Sequence, residues 1–174
     1  MGLKRGYIHI YTGNGKGKTT AALGLGLRAT GAGLKVYMIQ FMKSGEYSEL
    51  KAIKQIKNFT MIQFGRKSFV SKKNPDKVDI ELAQKGLIHA KEILRKREYD
   101  VVILDEINVA IDFNLISLKD VLKLLKEKPE DVELVLTGRY APAELIEQAD
   151  LVSEILEIKH PYANGASARR GIDF

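Results

Sequence analysis

The stretch "YTGNGKGKTTAALG", Tyr11 to Gly24, decides how the rest of the chain is read. It carries Gly17-Lys18-Thr19, the end of the phosphate-loop pattern G-x-x-x-x-G-K-[ST], and a helix-forming run follows directly. The position that should hold the first glycine is Thr12. The glycine stands one place later, at Gly13, so the loop between the two glycines is one residue short. Glycines let such a loop curl until several N–H groups point into one concave nest, and the N-terminus of the next helix adds its positive end. Lys18 is expected to reach phosphate oxygens and Thr19 to place a hydroxyl on Mg²⁺. Gly13, Asn14, Gly15, Lys16, Gly17 and Thr20 complete the expected nest.

Outward from the loop, strand-like and helix-like runs alternate. Short runs rich in β-branched or aromatic residues stand at 7–12, 35–41, 59–64, 100–105, 132–137 and 151–159. Between them lie "KTTAALGLGLRAT", "EYSELKAIKQIK", "DIELAQKGLIHAKEILRKRE", "LKDVLKLLKEK" and "APAELIEQA". In the longest, Leu82, Leu87, Ala90, Ile93 and Leu94 trace an apolar stripe at helical spacing. This order predicts an α/β fold, a mostly parallel sheet covered by helices on both faces, with the apolar "VVIL" and "LVL" as central strands. No repeat or linker interrupts it, so residues 1–174 are expected to form one nucleotide-binding domain. Two regions lack periodicity, residues 65–77 and the tail "HPYANGASARRGIDF". Loops of that size in a compact domain are often binding loops or lids.

The second chemical feature is "DVVILDEINVAI". Four apolar residues followed by Asp105 and Glu106 put two carboxylates at the C-terminal edge of a buried strand, where ligands sit in open α/β sheets and where an acid holds Mg²⁺. In a hydrolase Glu106 would polarise an attacking water; in another chemistry it would join the metal's ligands. In "VLTGRYAP", Arg139 leaves a further strand at the same edge. It can contact polyphosphate, stabilise leaving-group charge or pair with Asp105. Of the histidines, His9 and His89 fall inside a strand and a helix, while His160 opens the tail and could touch a ligand. No histidine pair has metal-ligand spacing, and no nucleophile–base arrangement stands out.

Composition narrows the classes. With 174 residues, 45 % hydrophobic and 29 % charged, the chain has the make-up of a globular domain, and no apolar run approaches a membrane span. It has no cysteine, hence no disulfide and no thiolate site. The net charge of +6 suits nucleic acid or polyphosphate, but its lysines are interleaved with acids, which favours a solvated surface. "MGLKRG" lacks the apolar segment of a signal peptide, so the cytoplasm is the expected compartment.

Taken together, "TGNGKGKTTAALGLGLRA", "QFMKSGE", "VVILDEINVAI", "LTGRYAPAELIEQADLVSEI" and "KHPYANGASARRGIDF" resemble the P-loop ATP:corrinoid adenosyltransferases, over nearly the whole chain. The resemblance implies a recombinase-like α/β fold. It implies that the short loop holds ATP in a reversed sense, so that C5′ of the ribose faces the corrinoid, whose Co(I) attacks it and expels triphosphate. By the same resemblance Asn14, Gly15, Gly17, Lys18 and Thr19 bind phosphate, Thr19 and Glu106 lie near Mg²⁺, and Asp105 supports the metal shell. Phe69, in "FGRKSFVSKK", matches a family aromatic that helps displace the lower axial ligand of cobalt, although the tryptophan of that segment is absent. A homodimer and an electron-donating reductase or flavoprotein are further implied. Many members carry an N-terminal extension over the site; here few residues precede the first strand, which leaves the cover over the corrinoid unassigned. Two other readings stay open: a small-molecule kinase or ATPase, and an ATP-dependent nucleic-acid-binding module.

Overall fold

Val36–Phe41 is buried at every position, the pattern of a strand covered on both faces. In a computed structural model, which describes residues 2–45 and 47–173, it is one of six strands in a single sheet. The chain runs β1 (Ile8–Thr12), α1 (Lys18–Gly31), β2 (Val36–Phe41), α2 (Ser48–Ile53), β3 (Phe59–Phe64), α3 (Lys77–Lys96), β4 (Val101–Asp105) and α4 (Ile107–Asp112). It continues as α5 (Leu118–Lys126), β5 (Glu133–Thr137), α6 (Ala143–Gln148), β6 (Leu151–Glu154) and a 3₁₀ turn at Pro161–Asn164. The strand order is β3-β2-β4-β5-β1-β6 and every pair is parallel.

The period-2 alternation of the strands divides the core. Tyr37, Ile39, Phe41, Val102, Leu104, Leu134 and Leu136 point to the face covered by α3, α4, α5 and α6. Val36, Met38, Val101, Ile103 and Val135 point to the other, against Ala22 and Ala29 of α1 and Ile53 at the end of α2. Each fully buried large apolar side chain contributes roughly 1.5–3 kcal/mol relative to exposure. The result is the three-layer α/β sandwich expected for this class. In α3 the buried stripe is Ala83, Leu87, Ala90, Ile93 and Leu94, with Leu82 at its half-buried margin.

Three elements depart from expectation. The last strand stops at Glu154 rather than running to 159, because it pairs only with β1, and β1 ends at Thr12 where the phosphate loop turns away. The helix α2 is shorter than the 46–57 run, six residues at Ser48–Ile53. The helix α4 was not anticipated: its "INVAID" prolongs the apolar run of β4, but Glu106 at φ 63° breaks the strand and caps the new helix. No helix among the described residues is long and apolar enough to cross a membrane.

Candidate active site

The loop between β1 and α1 owes its shape to two different uses of glycine. Gly17, the N-cap of α1, has φ 119° and nothing near an added Cβ, so its requirement is conformational. It caps with no side chain, which leaves the first N–H groups of a 14-residue helix free for an anion. Gly15 is instead a spatial requirement: an added Cβ would lie 2.7 Å from backbone atoms of Leu156. The Gly15 N–H donates to the Ile155 carbonyl at 2.8 Å, and the Glu157 N–H donates to Asn14 Oδ1 at 3.1 Å. Lys16 reaches the Asp173 carboxylate and, at 3.1 Å, the Ile172 carbonyl. Residues 155–173 therefore lie along one rim of the loop.

Lys18 is buried and folds back to donate to the Gly15 carbonyl at 2.5 Å. Burial lowers its pKa and the nearby Arg139 lowers it further, while Glu106, Asp105 and Lys43 complete its charged surroundings. Asp105, fully buried at the end of β4, is the hub. Its Oδ1 accepts from Thr19 Oγ1 at 2.8 Å and Thr137 Oγ1 at 2.6 Å. Its Oδ2 accepts from Gln40 Nε2 at 3.1 Å and Lys43 Nζ at 2.9 Å. One strand, β5, separates the strand of the phosphate loop from that of Asp105, and its last residue Thr137 bridges them.

Glu106 sits in the left-handed region, a conformation that costs a non-glycine residue about 1 kcal/mol. Its N–H is held by Thr137 Oγ1 at 3.0 Å. Burial raises its carboxyl pKa, Lys43 opposes that, and Asp105 adds to it. Lys43 itself is pushed down by burial but raised overall by Asp105 and Glu106, whose Oε1 lies 3.6 Å away.

The two aperiodic regions converge on the same place. A cleft of about 810 Å³ is lined by the phosphate loop, Lys43, Glu106, Arg139, the 66–70 segment and tail residues including His160 and Asp173. Its size matches the upper range of small-molecule sites. Arg66 anchors the 66–70 segment by a bidentate pair with the buried Asp79, at 2.7 and 2.6 Å. Lys72 ties the following turn to Asp112 and lies over the rings of Phe113 and Tyr140. Phe69 is fully exposed at the cleft mouth.

The fold thus brings Gly15 to Thr20, Glu106, Arg139 and Phe69 to one cleft, with Asp105 beneath it. Arg139 is exposed and makes no ion pair among the described residues; the cation that pairs with Asp105 is Lys43. His9 and His89 lie elsewhere, on Glu133 and Tyr37. Sequence reasoning did not single out Gln40, Lys43 or Thr137. All three stand at or just beyond the C-terminal ends of β2 and β5, and the strand-edge rule applied to Asp105 and Arg139 finds them equally well.

Comparison with known proteins agrees with this geometry. Residues 4–174 match the family model of the ATP:corrinoid adenosyltransferases BtuR/CobO/CobP. A corrinoid adenosyltransferase of Sinorhizobium sp. is 36 % identical over 98 % of this chain and 81 % of its own length. That of Escherichia coli K12 is 34 % identical over 98 % of this chain and 87 % of its own length. Corrinoid adenosyltransferase CobA of Salmonella typhimurium is 32 % identical with the same coverage. A match of this extent, on a fold whose strand ends carry a phosphate loop and an acidic pair, shows that the chain belongs to the ATP:corrinoid adenosyltransferase family.

Proposed function

We propose that the chain transfers the 5′-deoxyadenosyl group of ATP to the Co(I) of a reduced corrinoid, in adenosylcobalamin biosynthesis or salvage. The observation that carries this is the Thr19–Asp105–Thr137 floor under an uncapped helix N-terminus, in a chain that matches the family over residues 4–174. In the reaction the cobalt electron pair forms a bond to C5′, the C5′–O bond breaks, and its electrons leave with triphosphate. No proton moves, so no general base is required. What the protein must supply is alignment and stabilisation of a highly charged leaving group.

The residues divide accordingly. The N–H groups of the loop from Gly13 to Thr20, other than that of Gly15, which is given to the Ile155 carbonyl, and the ammonium groups of Lys18 and Lys16 hold the triphosphate, with Arg139 adding charge at the rim. Phe69 presents its ring to the corrinoid from the cleft mouth. Thr19, Asp105 and Glu106 fit Mg²⁺: they are hard oxygen donors, and a cation already stands among them, with Lys43 Nζ at 3.3, 2.9 and 3.6 Å from their oxygens. Mg²⁺ is ordinarily held by one or two carboxylates with phosphates and water. When bound there, it neutralises charge on the departing triphosphate. The same reading makes an electron-donating reductase or flavoprotein the source of Co(I), the cytoplasm its place and a homodimer its assembly, the last to be checked by light scattering.

The test is anaerobic. Protein, Mg-ATP and a chemically reduced corrinoid are mixed and the products followed by phosphorus NMR. Intact triphosphate appearing only with corrinoid is the expected result. ADP and phosphate in its place would transfer the case to the kinase or ATPase reading.

A further inference from the structure

Lys43 occupies a position that a spectator would not. Its ammonium meets Asp105 Oδ2 at 2.9 Å, Thr19 Oγ1 at 3.3 Å and Glu106 Oε1 at 3.6 Å. Asp105 is fully buried and already accepts from Thr19 and Thr137 on one oxygen and from Gln40 on the other. Lys43 is the charged member of that set, and it takes the last of the four acceptor positions a carboxylate offers. A divalent cation bound by Thr19, Asp105 and Glu106 needs the space where this ammonium stands.

We propose that Lys43 is a built-in cation that holds the metal-binding oxygens in place before nucleotide arrives, and that it makes metal entry conditional on nucleotide entry. The inference rests on the metal reading given above for Thr19, Asp105 and Glu106. Displacing Lys43 with metal alone strands a half-buried ammonium without its partner, and an unpaired buried charge is strongly unfavourable. The surroundings offer little relief: Lys18 and Arg139 put two further cations on the same cleft, and Glu49, whose carboxylate also attracts Lys43, makes no ion pair with it among the described residues. A polyphosphate changes this balance. Its oxygens accept the ammonium as it leaves Asp105, while the metal takes the carboxylates. Lys43 is thus a positioning residue in the free protein: it keeps the Asp105 carboxylate oriented by Thr19, Thr137 and Gln40. Gln40 is in turn held by Gln63 Nε2, which donates to its Oε1 at 2.9 Å, and Gln63 accepts from the Gly45 N–H at 3.1 Å. This chain of amides fixes the Asp105 side while Lys43 moves.

The test is Mn²⁺ binding by electron paramagnetic resonance on the full chain without nucleotide or corrinoid. The wild type is expected to bind no Mn²⁺ at submillimolar concentration. Lys43→Met is expected to bind at least about tenfold more tightly, and Lys43→Gln, which is uncharged but keeps a hydrogen-bond donor, to do the same should the methionine variant not fold. Lys43→Arg is expected to stay with the wild type. Mn²⁺ bound by the nucleotide-free wild type as tightly as by the uncharged variants would overturn the proposal. Since the assay contains neither ATP nor corrinoid, its result is independent of whether adenosyl transfer occurs, and the two readings fail separately.

Discussion

The ammonium of Lys18 lies 2.5 Å from the carbonyl oxygen of Gly15, so the lysine closes a ring with its own loop. Burial and the nearby Arg139 disfavour its charge, which makes an incoming phosphate a better partner than the carbonyl. Lys18→Ala is expected to lower adenosyl transfer by at least about 100-fold, the scale seen when one preorganised donor to developing charge is removed. Its melting temperature should stay within a few degrees of the wild type. Near-normal turnover would remove Lys18 from the phosphate site.

Asp105 gathers four side chains that the sequence scatters over residues 19 to 137. Asp105→Asn keeps the volume but leaves one acceptor oxygen where four donors share two, and it removes the charge that pairs with Lys43. We expect a loss of about 3 kcal/mol in stability, the scale of breaking a buried ion pair from one side. Asp105→Asn combined with Lys43→Met should recover part of that loss, because it removes the stranded charge as well. Denaturant unfolding of the four proteins in this cycle checks it; strict additivity would mean that the pair is not coupled.

Gly15→Ala addresses the tail. An added methyl meets Leu156 backbone at 2.7 Å and the Ile155 carbonyl at 2.8 Å, and backbone cannot step aside as a side-chain end can. The 155–173 segment should separate from the loop and become the first place cut in limited proteolysis, while the sheet stays intact. An unchanged cleavage pattern would show that the loop, not the tail, has moved.

Phe69→Ala separates binding from stability. The ring is fully exposed, so its removal should change unfolding free energy by no more than about 0.5 kcal/mol. Affinity for the corrinoid is expected to fall several-fold, with the affinity for ATP unchanged. Equal corrinoid affinity in the two proteins, measured by absorbance titration, counts against this aromatic.

At the opposite end of the sheet, Glu133 accepts from the Tyr7 N–H at 2.7 Å and pairs with His9 at 2.5 Å. Burial alone would raise its carboxyl pKa, but His9, the Tyr7 N–H and Lys128 hold it below the ordinary range. A carboxyl lowered by folding stabilises the protein above the ordinary glutamate value of about 4.3, and that contribution is lost as the pH falls through its folded value. Glu133→Gln should therefore melt lower than the wild type at neutral pH and show a smaller further drop on acidification. Parallel acid profiles for the two would assign the acid sensitivity to other groups.

How much of this was legible follows from what each signal spans. Short runs rich in β-branched and aromatic residues located all six strands; β2, β4 and β5, buried on both faces, stand out as mostly apolar runs without alternation. The glycine loop, Asp105, Glu106 and Arg139 were legible because strand ends point to one edge. The strand order was not, since nothing in the run at Ile8–Thr12 says that it pairs with Glu133–Thr137 and Leu151–Glu154. Lys43 was hidden for a related reason: "QFMKSGE" shows a lysine after a strand, and only the adjacency of β2 and β4 sets it against Asp105. The turn into α4 was masked by the apolar continuity of "VVILDEINVAI", which a single left-handed residue interrupts.

The place of β1 between β5 and β6 bears on how the protein is made. The phosphate loop leaves the ribosome before its surroundings do: the strands that flank β1 and the segment that lines the loop come from residues 133–154 and 155–173. Until these emerge, the first strand has no hydrogen-bonded neighbour and its loop no wall. Pairings across such sequence distances form slowly. ATP binds a shape that exists only after residues 133–173 have been synthesised, so it can stabilise the folded protein by mass action without guiding the earlier steps of folding.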